Sequence, residues 1–406
     1  MAIPAPLFAI PTNNPAVVAF NQQHDVIWVV LQFLTIAVPL LIVFSGWGAR
    51  LRGRLARMAG KRSWLVLPLL ASTTVALIAL ATLPVAWFLD IQHRAVWGRT
   101  VPDMASWFVG RGATLTVEVL LCFLFLWIGY RLIRRWPRAW WAVLALSLSI
   151  IIPAAITAEQ VLVRPHTIDA KPYPSGPIRN RFEAILARCG TSGIPIDLVK
   201  GMENATVIGL GSTSRILIGD RIVDDFPNDQ KPRQLSYTFA HELKHHLSGD
   251  NWLAFATVAV IIFGAVGTMY IGGQTIVGRH NERIGFDSLA DPASFPLLLA
   301  LAVTFVTVVG IPTLNLVQQH VEQEADRFSI EINRDPGAIA AWRNIISQSK
   351  WSLNEYYPFY RLYRATHPSP ADGIRLANNW RPWEQGQAGQ YDAWCDQTVN
   401  GDRGPK

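Results

Sequence analysis

His241, Glu242 and His245 form an H-E-x-x-H pattern inside the stretch SYTFAHELKHHL. Pro232 opens a predicted helix here, and histidines four apart on a helix leave one face about a turn apart, so both imidazoles can bind one zinc ion. Glu242 can then reach a water on that ion without ligating it. Zinc lowers the pKa of water toward ~7, and the carboxylate can take the proton as the water attacks a peptide carbonyl, then return it to the leaving amine. Nine histidines in 406 residues would give this pattern by chance in roughly one chain in two hundred, so the motif needs context. The alternative is a polar juxtamembrane helix whose histidines face water. His246 points roughly 100° away around the helix and reads as solvated.

A zinc site that keeps one position open for water needs a third protein ligand. In QQHVEQEADRFSIEI, Glu322 and Asp326 are four apart on a predicted helix, with Glu322 the ligand and Asp326 the acid that orients a ligand histidine. His320 and Glu324 have the same spacing on another face, and periodicity alone does not choose between the pairs.

Several elements must position these residues. Half the chain is apolar, 16% is charged, and mean hydropathy is +0.23, too apolar for an ordinary soluble protein. Six stretches are long enough to cross a ~30 Å hydrocarbon core: Val26–Gly46, Trp64–Leu89, Ala113–Tyr130, Trp140–Ala158, Trp252–Gly272 and Phe295–Val317. Tryptophans at many segment ends, such as Trp28, Trp64, Trp87, Trp140, Trp141 and Trp252, suit headgroup depth. No Lys or Arg occurs in residues 1–24, so the first stretch reads as a retained anchor rather than a cleaved signal.

The loop GARLRGRLARMAGKR and the loop RLIRRWPR carry the cations that resist translocation, which places both in the cytoplasm and residues 164–250 on the extracytoplasmic side of the cell membrane. These loops account for most of the net charge of +7, and no basic face suggests a nucleic-acid partner. Cys122 lies in the third stretch. Cys189 and Cys395 fall on one side of the membrane, as a disulfide if that side is oxidising or as two unpaired thiols. Glu118, an ionisable group at membrane depth, either faces a cavity or pairs with Arg111.

The chain therefore divides into a four-helix membrane portion to 163, a soluble portion over 164–250, a two-helix hairpin over 251–317, a second soluble portion over 318–380 and a polar tail over 381–406 that is expected to pack loosely. RPHTIDAKPYPSGP reads as an extended linker. IRNRFEAILARCG predicts an amphipathic helix, and the β-branched runs IPIDLVK, ENATVIGL and SRILIGDRIV predict a small sheet. The reading is a multi-pass α-helical membrane protein of about six spans with an α+β soluble domain.

AHELKHHLSGD running into a membrane stretch, followed after a further crossing by VEQEAD, resembles the integral membrane metalloprotease family that includes the HtpX heat-shock protease and the type I CAAX prenyl protease. The likeness spans roughly residues 178–378. It implies a zincin-like metalloprotease domain with one zinc per chain, ligated by His241, His245 and Glu322, with Asp326 as the outer acid, which favours Glu322 over Glu324. It also implies that Asn204-Ala205 marks an edge strand pairing with the substrate backbone, a mode that binds with little sequence preference. In HPSPADGIRL it implies that His367 and Arg375 act near the substrate or the developing oxyanion, although the spacing between them is about two residues longer than usual. Seven helices and a prenylated substrate belong to the CAAX branch and are not implied here. The expected function is endopeptidase action on membrane or membrane-proximal proteins in quality control; processing of a lipidated or signalling peptide, or an inactive membrane scaffold, are the alternatives.

Overall fold

The computed structural model describes residues 6–226, 228–347 and 352–395. Two compact units emerge. One comprises Ala19–Ile150 and Val258–Pro312; the other comprises the described residues of Met1–Val18, Ile151–Thr257 and Thr313–Lys406. We call them the helical unit and the motif unit.

Five helical runs among the described residues are long and apolar enough to cross a membrane: Pro15–Phe44, Ser63–Val96, Trp140–Thr167, Asp250–Ile284 and Pro292–Asn333. The third expected span, Ala113–Tyr130, lies inside the helix Met104–Arg135, where the side chains of Glu118 and residues 121–125 are outside the described set. Arg111 pairs with Asp90 at 2.7 Å. Apolar side chains such as Phe33, Leu41, Leu80, Val260 and Ile271 are about two-thirds exposed, a face that lipid rather than water would cover. Within the helical unit, Val43, Trp140, Val266, Ile284 and Leu297 form a buried cluster.

The motif unit is α+β. Its sheet contains β1 (Ala170–Pro172), β2 (Ile196–Val199), β3 (Ala205–Ile208) and β4 (Arg215–Gly219) in the order β1-β2-β4-β3. β2 runs parallel to β4, whereas β1 and β3 pair antiparallel. The three β-branched runs thus form the sheet, and β1 corrects the expected linker: that segment contributes an edge strand because Ala170 and Pro172 find partners in Val199 and Asp197.

Helix α1 (Pro177–Arg188) and helix α2 (Lys231–Ser248) cover the sheet. Phe182 of α1 stacks on Phe239 of α2 with ring centroids 4.4 Å apart, in a core that includes Ile216, Ile218, Leu243 and Phe328. Helices α3 (Ile311–Asn333), α4 (Pro336–Ser347) and α5 (Pro370–Asn379) complete the unit. The tail also needs correction. Tyr391 is buried, and Cys395 is fully buried and disulfide-bonded to Cys189, so residues through 395 are fastened to the core by a covalent bond that spacing could not reveal. Residues 396–406 lie outside the described set.

Candidate active site

Tyr237, His241 and His245 succeed one another every four residues along α2, so one face of the helix carries all three. α2 is held at depth by the wholly buried Leu235, Phe239, Ala240 and Leu243 on its other side. From α3, Glu322 and Asp326 approach the same face. Nε2 of His241 lies 3.0 Å from Oε2 of Glu322 and 3.3 Å from Nε2 of His245, and the His245–Glu322 separation is 3.8 Å. Ligands at ~2.0–2.1 Å around a tetrahedral ion stand about 3.3 Å apart, so this two-nitrogen, one-oxygen set fits a zinc-type ion. Among the described residues this is the cluster of three whose ligand atoms all fall within 4.8 Å of one another.

The competing pair is occupied elsewhere. Glu324 meets Arg327, Gln390 and Tyr391, and His320 is exposed.

Asp326 is nearly sealed from solvent and ties several groups together. One oxygen accepts from the Tyr237 hydroxyl and lies 3.1 Å from Nδ1 of His241; the other accepts from Arg343 of α4. Such a partner on Nδ1 leaves Nε2 free to ligate. Burial opposes protonation of His241, yet the Asp326 and Glu322 carboxylates overcome it and raise its pKa to about 10 in the absence of metal.

His245 is oriented by a residue from beyond its own helix. Gly249 closes α2 in the left-handed conformation at φ 64°, and the turn brings Asp250 back to within 2.8 Å of Nδ1 of His245 and 2.9 Å of Nζ of the buried Lys244. Glu242 lines the cleft beside edge strand β3, and desolvation raises its pKa against the pull of the neighbouring His241 and His245. His246 is half-buried rather than solvated, and burial lowers its pKa.

Asn204 and Ala205 stand at the start of β3 and line the cleft together with His241, Glu242, His245, Glu322 and His367. His367 reaches in from the segment before α5, with Nε2 3.5 Å from Glu322, and its side chain is 59% exposed. Arg375 does not join them. Its guanidinium pairs with Glu355 and with Asp372 one turn earlier on α5, and it is absent from the residues that line the cleft. The arginine at the centre is Arg343, which had no motif to mark it. Asp250 ends the stretch AHELKHHLSGD but lies beyond the helix, where spacing gives it no role, whereas Tyr237, one helical step before His241, could have been read from periodicity.

Comparison with known proteins agrees with this geometry. The family description "Peptidase family M48" matches residues 174–381, just over half the chain. The chain is 22% identical over 312 residues to an uncharacterized metalloprotease, YhfN, of Bacillus subtilis (strain 168), covering 73% of this chain and 70% of that protein. The crystal structure of Ste24p from S. mikatae superposes with a TM-score of 0.63 over 89% of this chain and 87% of that one, at 15% identity, a likeness of fold.

Proposed function

The chain belongs to peptidase family M48 and is a metalloendopeptidase, and from that premise we propose a membrane zinc enzyme that cleaves membrane or membrane-proximal proteins in quality control. The observation that carries the zinc assignment is the convergence of His241 Nε2, His245 Nε2 and Glu322 Oε2 within 3.0–3.8 Å. The ion, when bound by these three, supplies Lewis acidity and brings the pKa of water to ~7.

The chain's own groups do the rest. The outer edge of β3 offers backbone partners to an extended peptide, which would lie with a carbonyl beside Glu242. The Glu242 carboxylate takes the proton of the attacking water and delivers it to the amine that leaves. His367, at the rim of the cleft, can donate to the oxygen on which charge develops. Asp326 and Asp250 hold the two imidazoles so that Nε2 of each faces inward.

An extracytoplasmic motif unit fits the cationic loops, and the Cys189–Cys395 bond supports it, because disulfides persist in oxidising compartments. Labelling of a tag placed after Lys406 in intact cells checks this side; labelling only after permeabilisation would reverse it.

The first test is metal content of the detergent-purified wild type and Glu322→Ala, with casein cleavage and chelator inhibition read on the same samples. One zinc per chain, lost with Glu322, and chelator-sensitive cleavage are expected; zinc retained in Glu322→Ala would overturn the ligand assignment. Peptides shed from membranes of wild type but not Glu242→Gln should come from many sites. A single dominant site would replace quality control with processing.

A further inference from the structure

Residues 26–89 contain no Asp or Glu, yet Arg50, Arg52, Arg54, Arg57, Lys61 and Arg62 all fall within them. The four arginines from 50 to 57 share one helix, Trp47–Ala59, set between the membrane-length runs Pro15–Phe44 and Ser63–Val96. Gly46 at φ 67° and Gly60 at φ 51° break the chain on either side of it, so this helix is an element of its own and continues neither span.

At roughly 100° per residue the helix sorts its side chains. Gly48, Leu51 and Leu55 share one side, where Gly48 is buried against Ile42 and Ala293 and the two leucines pack on Leu67, Leu70, Tyr130 and Phe295. Arg52 points the same way and is neutralised by Asp291, in a hollow that Glu282 and Asp287 also border. Arg50, Arg54 and Arg57 fall on the other side, within an arc of roughly 60°. All three are exposed, and among the described residues no carboxylate pairs with them; Arg50 donates to the Ser45 carbonyl at 3.1 Å.

Exposed apolar side chains edge this arc. Met58 is 83% exposed, and Trp64, at the start of the next span, is 62% exposed. Tyr130, in the cluster that holds Leu51 and Leu55, brings the end of helix Met104–Arg135 alongside, where Arg134, Arg135 and Trp136 are exposed too. Cations interleaved with apolar groups, on an amphipathic helix tied at both ends to spans, make up an interfacial element. A soluble polyanion such as RNA would match the guanidinium groups and leave Met58 and both tryptophans bare, whereas a leaflet carrying anionic headgroups meets both kinds of group.

We propose that this face of helix Trp47–Ala59 binds anionic phospholipids of the surrounding leaflet, with phosphates on Arg50, Arg54 and Arg57 and acyl chains against Met58 and Trp64. Guanidinium groups suit phosphate because they can donate to two of its oxygens at once. Retention of a loop on one side of a membrane needs only charge. Here the arginine on the packed side is neutralised within the protein, and those on the open side are left for an outside partner.

The test uses the full chain in detergent micelles doped with phosphatidylglycerol or phosphatidylcholine of the same acyl chains, with bound lipid counted by native mass spectrometry. A cation near an anionic surface is worth roughly fivefold in binding. The wild type should therefore prefer phosphatidylglycerol by about ten- to hundredfold, less so at high salt. Arg50→Gln/Arg54→Gln/Arg57→Gln should bring the two lipids within about threefold, and Lys at all three positions should keep most of the preference. Met58→Glu keeps every cation but sets a carboxylate beside the arc, and should lower phosphatidylglycerol binding about fivefold. Lys171→Gln/Arg181→Gln/Lys200→Gln removes the same charge from exposed sites of the motif unit and should change nothing. Unchanged unfolding temperatures show that the variants keep the fold. No preference in the wild type, one that survives both the triple arginine variant and Met58→Glu, or one lost equally in the control would overturn the proposal. A short RNA that displaces phosphatidylglycerol at equal phosphate concentration would replace the lipid with a soluble polyanion.

Discussion

Asp250 Oδ2 lies 2.8 Å from Nδ1 of His245, on the side of the ring opposite the nitrogen that faces Glu322. The same oxygen is 2.9 Å from the buried Lys244, so one carboxylate fixes a ligand ring and neutralises a cation. Loss of an outer partner of this kind costs roughly 10–100-fold in metal affinity. Asp250→Asn should fall at the low end of that range and Asp250→Ala at the high end, with a drop in thermal stability from unpaired Lys244. Zinc competition against a chromophoric chelator, beside thermal unfolding, checks both. Unchanged affinity in Asp250→Ala would remove its orienting role.

Glu242→Gln should keep zinc and lose cleavage by about 10²–10⁴-fold or more, because the base goes while the ligands stay. In the wild type the acid side of the kcat/KM profile reports Glu242: activity falls as pH drops through its pKa, which desolvation sets above the ordinary 4.5. An acid limb at or below 4.5 would assign that proton to another group.

Arg343 and Arg375 should separate in opposite ways. Arg343→Met leaves Asp326 buried without its cation, a loss of about 3–5 kcal/mol, and should weaken metal binding because Asp326 holds His241. Arg375→Gln removes an exposed pair and should cost no more than ~1 kcal/mol, with cleavage preserved. Chemical denaturation and casein turnover of the two variants side by side measure this. Abolished turnover in stable Arg375→Gln would restore its place near the substrate.

Metal affinity should depend on pH through His241. Its pKa of about 10 in the metal-free fold exceeds the 6.5 of the free side chain. The proton therefore stabilises the metal-free fold fully below 6.5, and that contribution is lost as pH rises toward 10. Binding a cation expels this proton, so apparent affinity should rise about tenfold per pH unit through neutral and mildly alkaline pH. Calorimetry in two buffers of different ionisation enthalpy should detect about one proton released per metal bound at pH 8. Zero protons released would mean that His241 is already neutral.

The sequence by itself determined the chemistry and the environment. H-E-x-x-H at helical spacing is a local property, since α2 places His241 and His245 on one face whatever surrounds it. Length and apolarity alone likewise reveal helices able to span a bilayer. The competition between Glu322 and Glu324 was different: both lie on α3 at acceptable spacing, periodicity left it open, the family resemblance favoured Glu322, and the rotation of α3 against α2 brings that carboxylate to His241. Tertiary structure also chose the arginine. Arg375 lay in a motif yet is held by Asp372 on its own helix, whereas Arg343 comes from a helix without any motif and reaches Asp326 across the unadorned backbone of Gly373. Cys189 and Cys395 lie 206 residues apart, and no periodicity could pair them or show that the segment up to Cys395 is anchored. Periodicity reports contacts a turn or two away; which distant group satisfies a buried charge, a ring nitrogen or a thiol depends on how the helices and the sheet pack.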